Sequence, residues 1–286
     1  MGNLAWINGE ITSLSEAKVS LEDRGYLLGD GVYEVIRVYN GCTFYLEAHL
    51  ERLSNSANAI QIEIPYSGSE IEKAVNDLIA ESAYKDCYIY MQVTRGAAMR
   101  DHIFPDGVTP GMVMYVRPLA PLLAVEDVSP AKCITLPDER WMNCHIKTVN
   151  LLPNLLARQK AYEAKALEAI LYRPGNIVTE GTRSNVFAII DGVVRTHPQT
   201  NLILPGISRR IVLDLLGESD TYYEEKAFTV EDLKKASEVW LTSTSLEINP
   251  VYQVDEYKVK GNLPGPLTLM LMKKFREKIS SECKGD

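Results

Sequence analysis

Residues 177–190 read IVTEGTRSNVFAII, and this stretch decides the fold assignment. Two runs of apolar and β-branched residues, over 177–179 and 185–190, are typical of strands. Asp191-Gly192 follows as a hairpin turn into one more strand. Glu180 ends the first run. The stretch therefore predicts short, closely spaced strands with a carboxylate at the end of the first one.

Short strands and helices alternate through the rest of the chain, without an internal repeat. Apolar residues at helical spacing predict helices over 46–60 and 69–83, and Ser69 with Glu72 forms a capping-box pattern at the start of the second. Strict alternation predicts a strand over 32–39. Further helices are expected over 154–167, 208–216, 230–235 and 267–279, and further strands over 88–94, 112–116, 169–172, 193–196 and 239–242.

Proline residues predict a boundary between two domains. The sequence Arg117-Pro118-Leu119-Ala120-Pro121 follows a predicted strand, and proline removes a donor from the strand ladder. We therefore expect a linker over 118–128. It would separate a smaller N-terminal domain, residues 1–117, from a larger C-terminal domain, residues 129–286. Both domains mix helices with strands, which predicts the α+β fold class.

The composition excludes several classes of protein. Hydrophobic residues make up 46% of the 286 residues and charged residues 24%, as in ordinary globular proteins. A net charge of −8 repels phosphate backbones, so no nucleic-acid partner is expected. No apolar run reaches the ~20 residues that a bilayer requires, and the start lacks a signal-peptide pattern. These features predict a cytoplasmic protein that binds no membrane.

Metal and disulfide chemistry are also not expected. The five cysteines are an odd number without a short-spaced pair, and most of them are interpreted as small buried hydrophobic residues. The four histidines lack the spacing of metal ligands, so no metal site is predicted. The phosphate loop G-x-x-x-x-G-K-[ST], the dinucleotide motif G-x-G-x-x-G and the nucleophile motif G-x-S-x-G are all absent.

Three features remain that can carry chemistry. Ile207 and Ser208 begin a predicted helix after a glycine, where free N–H groups and the helix dipole favour an anion, although plain helix capping explains the same pattern. Lys147 lies in a short stretch that could be a strand, and desolvation there would make its amine a nucleophile toward an aldehyde. Glu180 could pair with a ring nitrogen of a ligand. A solvated lysine and an exposed loop glutamate are the alternatives.

Taken together, motifs across nearly the whole chain resemble the fold-type IV pyridoxal-phosphate enzymes, and the D-amino-acid aminotransferases among them most. Each motif is weak alone, but their joint order and spacing are specific. The resemblance implies a two-domain fold with the cofactor site between the domains. The motifs are Asp23-Arg24-Gly25-Tyr26, Gly29-Asp30-Gly31-Val32-Tyr33-Glu34, His49-Leu50-Glu51-Arg52-Leu53, Thr94-Arg95-Gly96, Arg140-Trp141, Ile146-Lys147-Thr148, Val178-Thr179-Glu180-Gly181, Ser184-Asn185-Val186-Phe187, Leu204-Pro205-Gly206-Ile207-Ser208-Arg209 and Thr242-Ser243-Thr244.

The resemblance implies pyridoxal 5'-phosphate as the cofactor and gives roles to several residues. Lys147 would form the internal aldimine and move the proton between the substrate Cα and the cofactor. Glu180 would pair with the pyridine nitrogen, and Leu204 would pack against the ring. Arginine offers a bidentate fork to phosphate, and a helix start adds aligned N–H donors. The phosphate would accordingly be bound by Arg52, by the N–H groups of Ile207 and Ser208, and by Ser243 or Thr244.

The resemblance also implies a substrate site and a second subunit. Members that resemble D-amino-acid aminotransferases hold the substrate α-carboxylate with a tyrosine and with an Arg-x-His loop of the other subunit. The matching positions are Tyr33, Arg100 and His102. Residues two apart in an extended loop face the same side, so Arg100 and His102 could reach one carboxylate. The implied assembly is a homodimer.

One residue departs from the family pattern and keeps alternatives open. Arg183 stands where the D-specific enzymes commonly carry a small hydroxyl residue. It could strengthen phosphate binding, admit a dicarboxylate or indicate lyase chemistry. The expected activity is transamination between a D-amino acid, of the D-alanine or D-glutamate type, and a 2-oxo acid (EC class 2.6.1). An aminodeoxychorismate lyase and a branched-chain L-amino-acid aminotransferase are the alternatives, and a cofactor-binding protein without turnover is a third.

Overall fold

The computed structural model describes residues 3–120, 122–259 and 264–283. Seven α-helices and two β-sheets are present in these residues, which agrees with the predicted α+β fold class. Pro121, which belongs to the predicted linker, lies outside the described residues. Every residue that the sequence nominates for the site lies inside them.

The chain divides into two compact units that are not each continuous in sequence. The single linker over 118–128 stays a prediction about domain organisation. The segment that carries Lys147 departs from the predicted contiguous domain over 129–286, because it packs with the first unit. That unit comprises Met1–Pro121, Ile146–Asn150 and Glu282–Asp286, and the second comprises Leu122–His145 and Leu151–Ser281.

The first unit is built on an antiparallel sheet covered by two helices. Its elements are β1 (Leu4–Ile7), β2 (Glu10–Ser13), α1 (Arg24–Leu28), β3 (Gly31–Tyr39), β4 (Cys42–Thr43), α2 (Leu46–Ala59), α3 (Gly68–Ser82), β5 (Cys87–Thr94) and β6 (Gly111–Pro118). The strand order is β2-β1-β6-β5-β3-β4. Val32 and Ile36 of β3 are fully buried and share a hydrophobic core with Leu53 of α2 and Leu78 of α3. The alternation predicted for β3 is thus confirmed on its core face.

The second unit is built on a larger mixed sheet. Its elements are a 3-10 turn (Val125–Asp127), β7 (Ala131–Pro137), α4 (Leu152–Glu163), β8 (Glu168–Arg173), β9 (Ile177–Gly181), β10 (Asn185–Ile190), β11 (Val193–Thr196), α5 (Ile207–Glu218), β12 (Tyr223–Glu225), α6 (Val230–Lys235), β13 (Glu238–Ser243), β14 (Glu247–Val254), β15 (Tyr257–Lys258) and α7 (Pro266–Glu282). The strand order is β12-β11-β10-β13-β14-β7-β8-β9, with β15 beside β14. Asn185 of β10 pairs with Thr242 of β13, so the two side chains share one face.

Two predicted helix starts differ from the observed ones. Helix α3 begins at Gly68, and its capping box is formed by Ser67 and Glu70 instead of Ser69 and Glu72. The prediction was wrong by two residues because the repeated serine and glutamate give two overlapping capping patterns. Helix α4 begins at Leu152, because the proline after it has a backbone angle that suits a first turn.

The cysteines depart from the prediction in one pair. Cys87, Cys133 and Cys144 are free and buried, which agrees with their interpretation as small hydrophobic residues. Cys42, in the hairpin after β3, forms a disulfide with Cys283, and the two Cα atoms are 5.5 Å apart. A separation of 241 residues gives no local spacing signal, so the sequence alone could not predict this pair.

The two overlapping capping patterns of α3 can be distinguished by mutation. Ser67→Ala removes the hydroxyl that accepts the Glu70 N–H at 3.3 Å, so we expect the free energy of unfolding to fall by about 1 kcal/mol. Ser69→Ala is the matched control and should change that free energy by less than about 0.5 kcal/mol. Urea unfolding of both variants measures the difference. Equal losses would contradict the cap at Ser67.

Candidate active site

Glu180 is buried in the second unit and held by three donors. It lies in β9 directly before Gly181, the last residue of that strand, and only 4% of its surface is exposed. Arg140 Nη1 donates to Glu180 Oε1 at 2.6 Å. Asn185 Nδ2, at the start of β10, and the backbone N–H of Leu204 donate to Glu180 Oε2 at 2.9 and 3.0 Å. These bonds fix the carboxylate in one orientation, so the alternative of an exposed loop glutamate is wrong.

The electrostatics of this cluster favour proton sharing. Burial raises the pKa of Glu180 to about 7, against the opposing effects of Arg140 and of the Leu204 N–H. Burial alone would lower the pKa of Arg140, but Glu180 and Asp138 outweigh it and keep the guanidinium charged. Burial acts to raise the pKa of Asp138 as well, yet Arg140 holds that pKa below its usual value. Of these three groups, Glu180 alone has a pKa near neutral, where a basic ring nitrogen can share its proton.

An anion site is available at the start of α5 in the same unit. Gly206 caps this helix without a side-chain hydrogen bond, so the first N–H groups, at Ile207 and Ser208, have no capping side chain as acceptor. Thr242 is 1% exposed, and its hydroxyl has no hydrogen-bond partner among the described residues. A buried hydroxyl without a partner is costly, so the Thr242 hydroxyl is a candidate donor to a bound anion. Ser243 follows it, and its hydroxyl accepts from the N–H of Leu246 at 3.2 Å.

Gly206 itself is required by close packing. A Cβ atom at this position would overlap Asn185 Oδ1, the amide oxygen of the side chain that also donates to Glu180. Asn185 Nδ2 additionally donates to the carbonyl of Leu204 at 3.0 Å. One asparagine thus links the Glu180 carboxylate to the chain that leads into α5. Leu204, whose side chain is predicted to pack against the cofactor ring, has both its N–H and its carbonyl fixed by hydrogen bonds.

Lys147 lies beside Tyr33 in the first unit. Its Nζ atom is 4.2 Å from the centre of the Tyr33 ring. The Lys147 carbonyl accepts the Tyr33 N–H at 3.0 Å, and its own N–H donates to Ser56 Oγ at 3.2 Å. Its segment forms only a single bridge, from Thr148 to Val32, and not the strand that the sequence allowed. The structure thus brings together the predicted catalytic amine and the predicted substrate tyrosine.

A second buried carboxylate lies on the opposite face of β3. Glu34 is fully buried, and Arg52 clamps it with Nε and Nη2 at 2.7 and 2.8 Å. His49 Nδ1 lies 2.7 Å from the same carboxylate. Burial would raise the pKa of Glu34, but Arg52 and His49 hold it well below its usual range. Arg52 is thus oriented by Glu34, and its predicted role at the phosphate stays a prediction.

Arg100 and His102 lie on an exposed loop after β5. Their side chains make no hydrogen bond or ion pair with any residue that the structure describes. The loop itself is anchored, because Arg24 Nη1 donates to the carbonyl of Asp101 at 2.7 Å. Arg95 supports it as well, since the Phe104 ring lies 3.5 Å from its guanidinium. Among the described residues of the chain, no hydrogen bond, ion pair or ring contact joins Arg100 or His102 to Tyr33.

Sequence reasoning missed the partners of the two carboxylates. Arg140 and Asn185 lie within the family motifs, but the sequence predicts no role for either. Glu34 could have been found, because a glutamate among Val32 and Ile36 on the buried face of a strand must be paired. Asp138 offered no such signal, since it follows a strand like many exposed acids.

Comparisons with known proteins assign the family. A model of the amino-transferase class IV family matches residues 31–254, so the chain belongs to that family. The D-alanine aminotransferase of Bacillus licheniformis is 44% identical over 275 residues, which cover 96% of each chain. The branched-chain amino acid aminotransferase of Escherichia coli has a TM-score of 0.90 at 26% identity, covering 99% of this chain and 96% of the other. The branched-chain aminotransferase of Thermoproteus uzoniensis has a TM-score of 0.89 at 26% identity, covering 99% of this chain and 97% of the other.

These matches confirm the predicted family, the fold-type IV architecture and the cofactor class, pyridoxal 5'-phosphate. None of the helices in the described ranges is both long and apolar enough to span a membrane. Within the described ranges, no group of three or more histidine, cysteine, aspartate or glutamate residues could hold a metal ion. The roles of the individual site residues stay predictions.

The raised pKa of Glu180 has a measurable consequence for the cofactor-free protein. Between pH 4.5, the ordinary pKa of a glutamate, and about 7, Glu180 keeps its proton in the folded protein and loses it in the unfolded chain. The bound proton therefore stabilises the folded state fully below pH 4.5, and this stabilisation is lost as the pH rises through 7. The loss amounts to about 3 kcal/mol. We expect the free energy of unfolding to fall by that amount relative to Glu180→Gln over this range. Denaturant unfolding at several pH values measures it, and parallel curves would contradict the raised pKa.

Proposed function

We propose that this protein transfers the amino group of a D-amino acid to a 2-oxo acid, with pyridoxal 5'-phosphate as its cofactor. The observation that carries the proposal is the 44% identity to a D-alanine aminotransferase across 96% of both chains. Matches at 26% identity to branched-chain aminotransferases support the fold more than the substrate. The geometry within each unit supports the chemistry of the reaction.

The residues of the second unit fit the cofactor. Glu180 offers a buried carboxyl with a pKa of about 7, which suits a pyridine nitrogen. The uncapped start of α5, at Ile207 and Ser208, and the buried Thr242 hydroxyl offer donors to a phosphate. When bound, the cofactor supplies an electron sink for negative charge that develops at the substrate Cα.

The chain's own groups then move and hold protons. Lys147 Nζ would take the proton from the substrate Cα and return it. Hydrogen bonds of the Lys147 N–H and carbonyl fix the main chain from which this side chain extends. Glu180 would keep the ring nitrogen protonated, with Arg140 and Asn185 holding the carboxylate in place. Leu204 would pack against the ring.

Binding of the cofactor phosphate is assigned to two sets of groups. The N–H groups of Ile207 and Ser208 would bind it together with Ser243 or Thr244. Arg52 would add its guanidinium, which Glu34 orients through a fork with distances of 2.7 and 2.8 Å. The larger set consists of neutral donors, which bind an anion without requiring a further buried charge.

The substrate carboxylate would be bound by Tyr33 and by Arg100 and His102 of a second copy of the chain. Both loop residues are exposed and have no partner among the described residues, so they are available to another subunit. The loop also carries exposed apolar side chains, at Met99 and Ile103, with 82% and 75% exposure. Burial of such side chains is typical of a homodimer interface. Localisation in the cytoplasm stays a prediction.

A donor panel tests the activity. The purified protein with pyridoxal 5'-phosphate and 2-oxoglutarate should release pyruvate from D-alanine about a hundredfold faster or more than from L-alanine. Turnover of L-leucine but not of D-donors would overturn the proposal in favour of a branched-chain enzyme. Release of 4-aminobenzoate from aminodeoxychorismate without an amino acceptor would favour the lyase. If the protein shows the colour of the bound cofactor but turns over no donor, the remaining alternative is a cofactor-binding protein without turnover.

The same assay tests the role of the Lys147 amine. Lys147→Ala should lower turnover of D-alanine by about a hundred- to ten-thousandfold, because it removes the amine that is proposed to move the proton. Borohydride should join the cofactor to the Lys147 peptide in the parent protein and not in the variant. Lys165→Ala removes an exposed lysine and should leave both results unchanged.

The second subunit can be tested through the apolar loop. Ile103→Asp places a charge on a side chain that is 75% exposed in the single chain, so the chain should stay folded while the homodimer dissociates. Light scattering should give half the parent mass, and turnover of D-alanine should be lost with it. Leu123→Asp, at a residue that is 60% exposed, is the control and should keep the parent mass. An active monomer would contradict the shared site.

A further inference from the structure

The turn between β9 and β10 is closed by a short backbone hydrogen bond. Gly181 N–H donates to the carbonyl of Ser184 at 2.6 Å, so Thr182 and Arg183 form the tip of a tight turn. Thr182 and Ser184 are buried, with 6% and 5% exposure, whereas Arg183 is exposed. The turn therefore directs a single long side chain outward. Arg183 is also the residue by which this chain departs from the family pattern.

A buried glutamate accepts hydrogen bonds from the residues of this turn. Glu168, the first residue of β8, is completely buried. Its Oε1 atom accepts from the hydroxyl and the N–H of Thr182 at 2.5 and 3.1 Å. Its Oε2 atom accepts from Ser184 Oγ at 2.9 Å and lies 3.4 Å from the N–H of Arg183. Burial of a carboxylate costs several kcal/mol, and here the hydrogen bonds of one turn offset that cost.

Close packing at Gly181 and one more hydrogen bond also support the turn. A Cβ atom at Gly181 would overlap Ser184 Oγ and approach the Glu168 carboxyl carbon to 3.0 Å. From helix α4, Asn154 Nδ2 donates to the carbonyl of Thr182 at 2.7 Å. An ordinary surface turn has no need of a buried carboxylate and a second side-chain donor. This support fixes the backbone from which Arg183 projects.

The Arg183 guanidinium has no acidic partner among the described residues, although the chain carries 38 acidic residues. Arg183 follows Glu180 by three residues, so at most about 10 Å of chain separates the two Cα atoms. On the other side of the turn, Asn185 donates to the same Glu180. The turn thus lies next to the carboxylate that is assigned to the cofactor ring.

We infer that Arg183 is a specificity-determining residue, which pairs with the second carboxylate of dicarboxylic substrates such as D-glutamate and 2-oxoglutarate. The inference rests on the proposed function and names its substrate class. The planar guanidinium forms two parallel hydrogen bonds with a carboxylate. Glu168 is a positioning residue, because it acts on the substrate only through the backbone of the turn.

The experiment compares two D-donors with the same holoenzyme. Arg183→Ser should lower the ratio of kcat/KM for D-glutamate to that for D-alanine by about ten- to a hundredfold, mainly through KM for D-glutamate. Arg183→Lys should keep part of the preference, since it retains the charge without the fork. Lys273→Ser removes an exposed positive charge elsewhere and should leave the ratio at the parent value.

Glu168→Gln tests the positioning role. The amide keeps the shape but replaces one acceptor oxygen with a donor, so the turn should loosen and the same ratio should fall by about three- to tenfold. If Glu168 had a merely structural role, the substitution would lower kcat/KM for both donors in proportion and leave their ratio unchanged. A loss of stability cannot mimic the expected result, because the ratio compares two substrates of the same folded protein.

Three outcomes overturn the inference. If Arg183→Ser still turns over D-alanine and the ratio of kcat/KM for the two donors is unchanged, the inference is wrong and the proposed function stays intact. Equal losses on both donors, together with weaker binding of pyridoxal 5'-phosphate by fluorescence titration, assign Arg183 to the cofactor phosphate instead. Turnover of no D-donor by the parent protein removes the proposed function and this inference together.

Discussion

Burial of Glu180 is the constraint on which the arrangement of the second unit depends. A carboxylate that loses its water needs donors, and the fold supplies them from Arg140, from Asn185 and from the backbone of Leu204. Asn185 leaves no space at Gly206 for a side chain, and that glycine caps α5 without occupying its N–H groups. The same contacts that fix the carboxylate therefore keep the helix start open to an anion.

The two buried carboxylates show how sharing of a counter-ion sets a pKa. Glu34 receives two donors of Arg52 and also His49, and its pKa lies well below the usual value. Glu180 receives one donor of Arg140, whose remaining fork binds Asp138, and its pKa is raised to about 7. Burial is comparable in both places, so the difference lies in the charged neighbours: Arg52 and His49 lower the pKa of Glu34, whereas Asp138 shares Arg140 with Glu180 and acts to raise its pKa. The first carboxylate positions an arginine, and the second can exchange a proton.

Sequence reasoning predicted elements better than contacts. The strands around Glu180 and the helices α2 and α3 were found within a few residues, because their periodicity is local. Lys147 and Glu180 were selected through family motifs, since the pattern alone favoured an exposed side chain for each. The cap at Ser67 was missed because two capping patterns overlap, and the pair Cys42–Cys283 was missed because nothing local connects residues so far apart.

The division between buried and exposed groups explains why the family is easier to assign than the substrate. Carboxylates such as Glu34 and Glu180 need several partners at once, so their neighbourhood tolerates few changes and carries the family pattern. Arg100, His102 and Arg183 are exposed and depend on no side-chain partner among the described residues of their own chain. Such residues can change without loss of stability. A fold shared with branched-chain aminotransferases at a TM-score of 0.90 can therefore accept different substrates through a few exposed side chains on rigid turns.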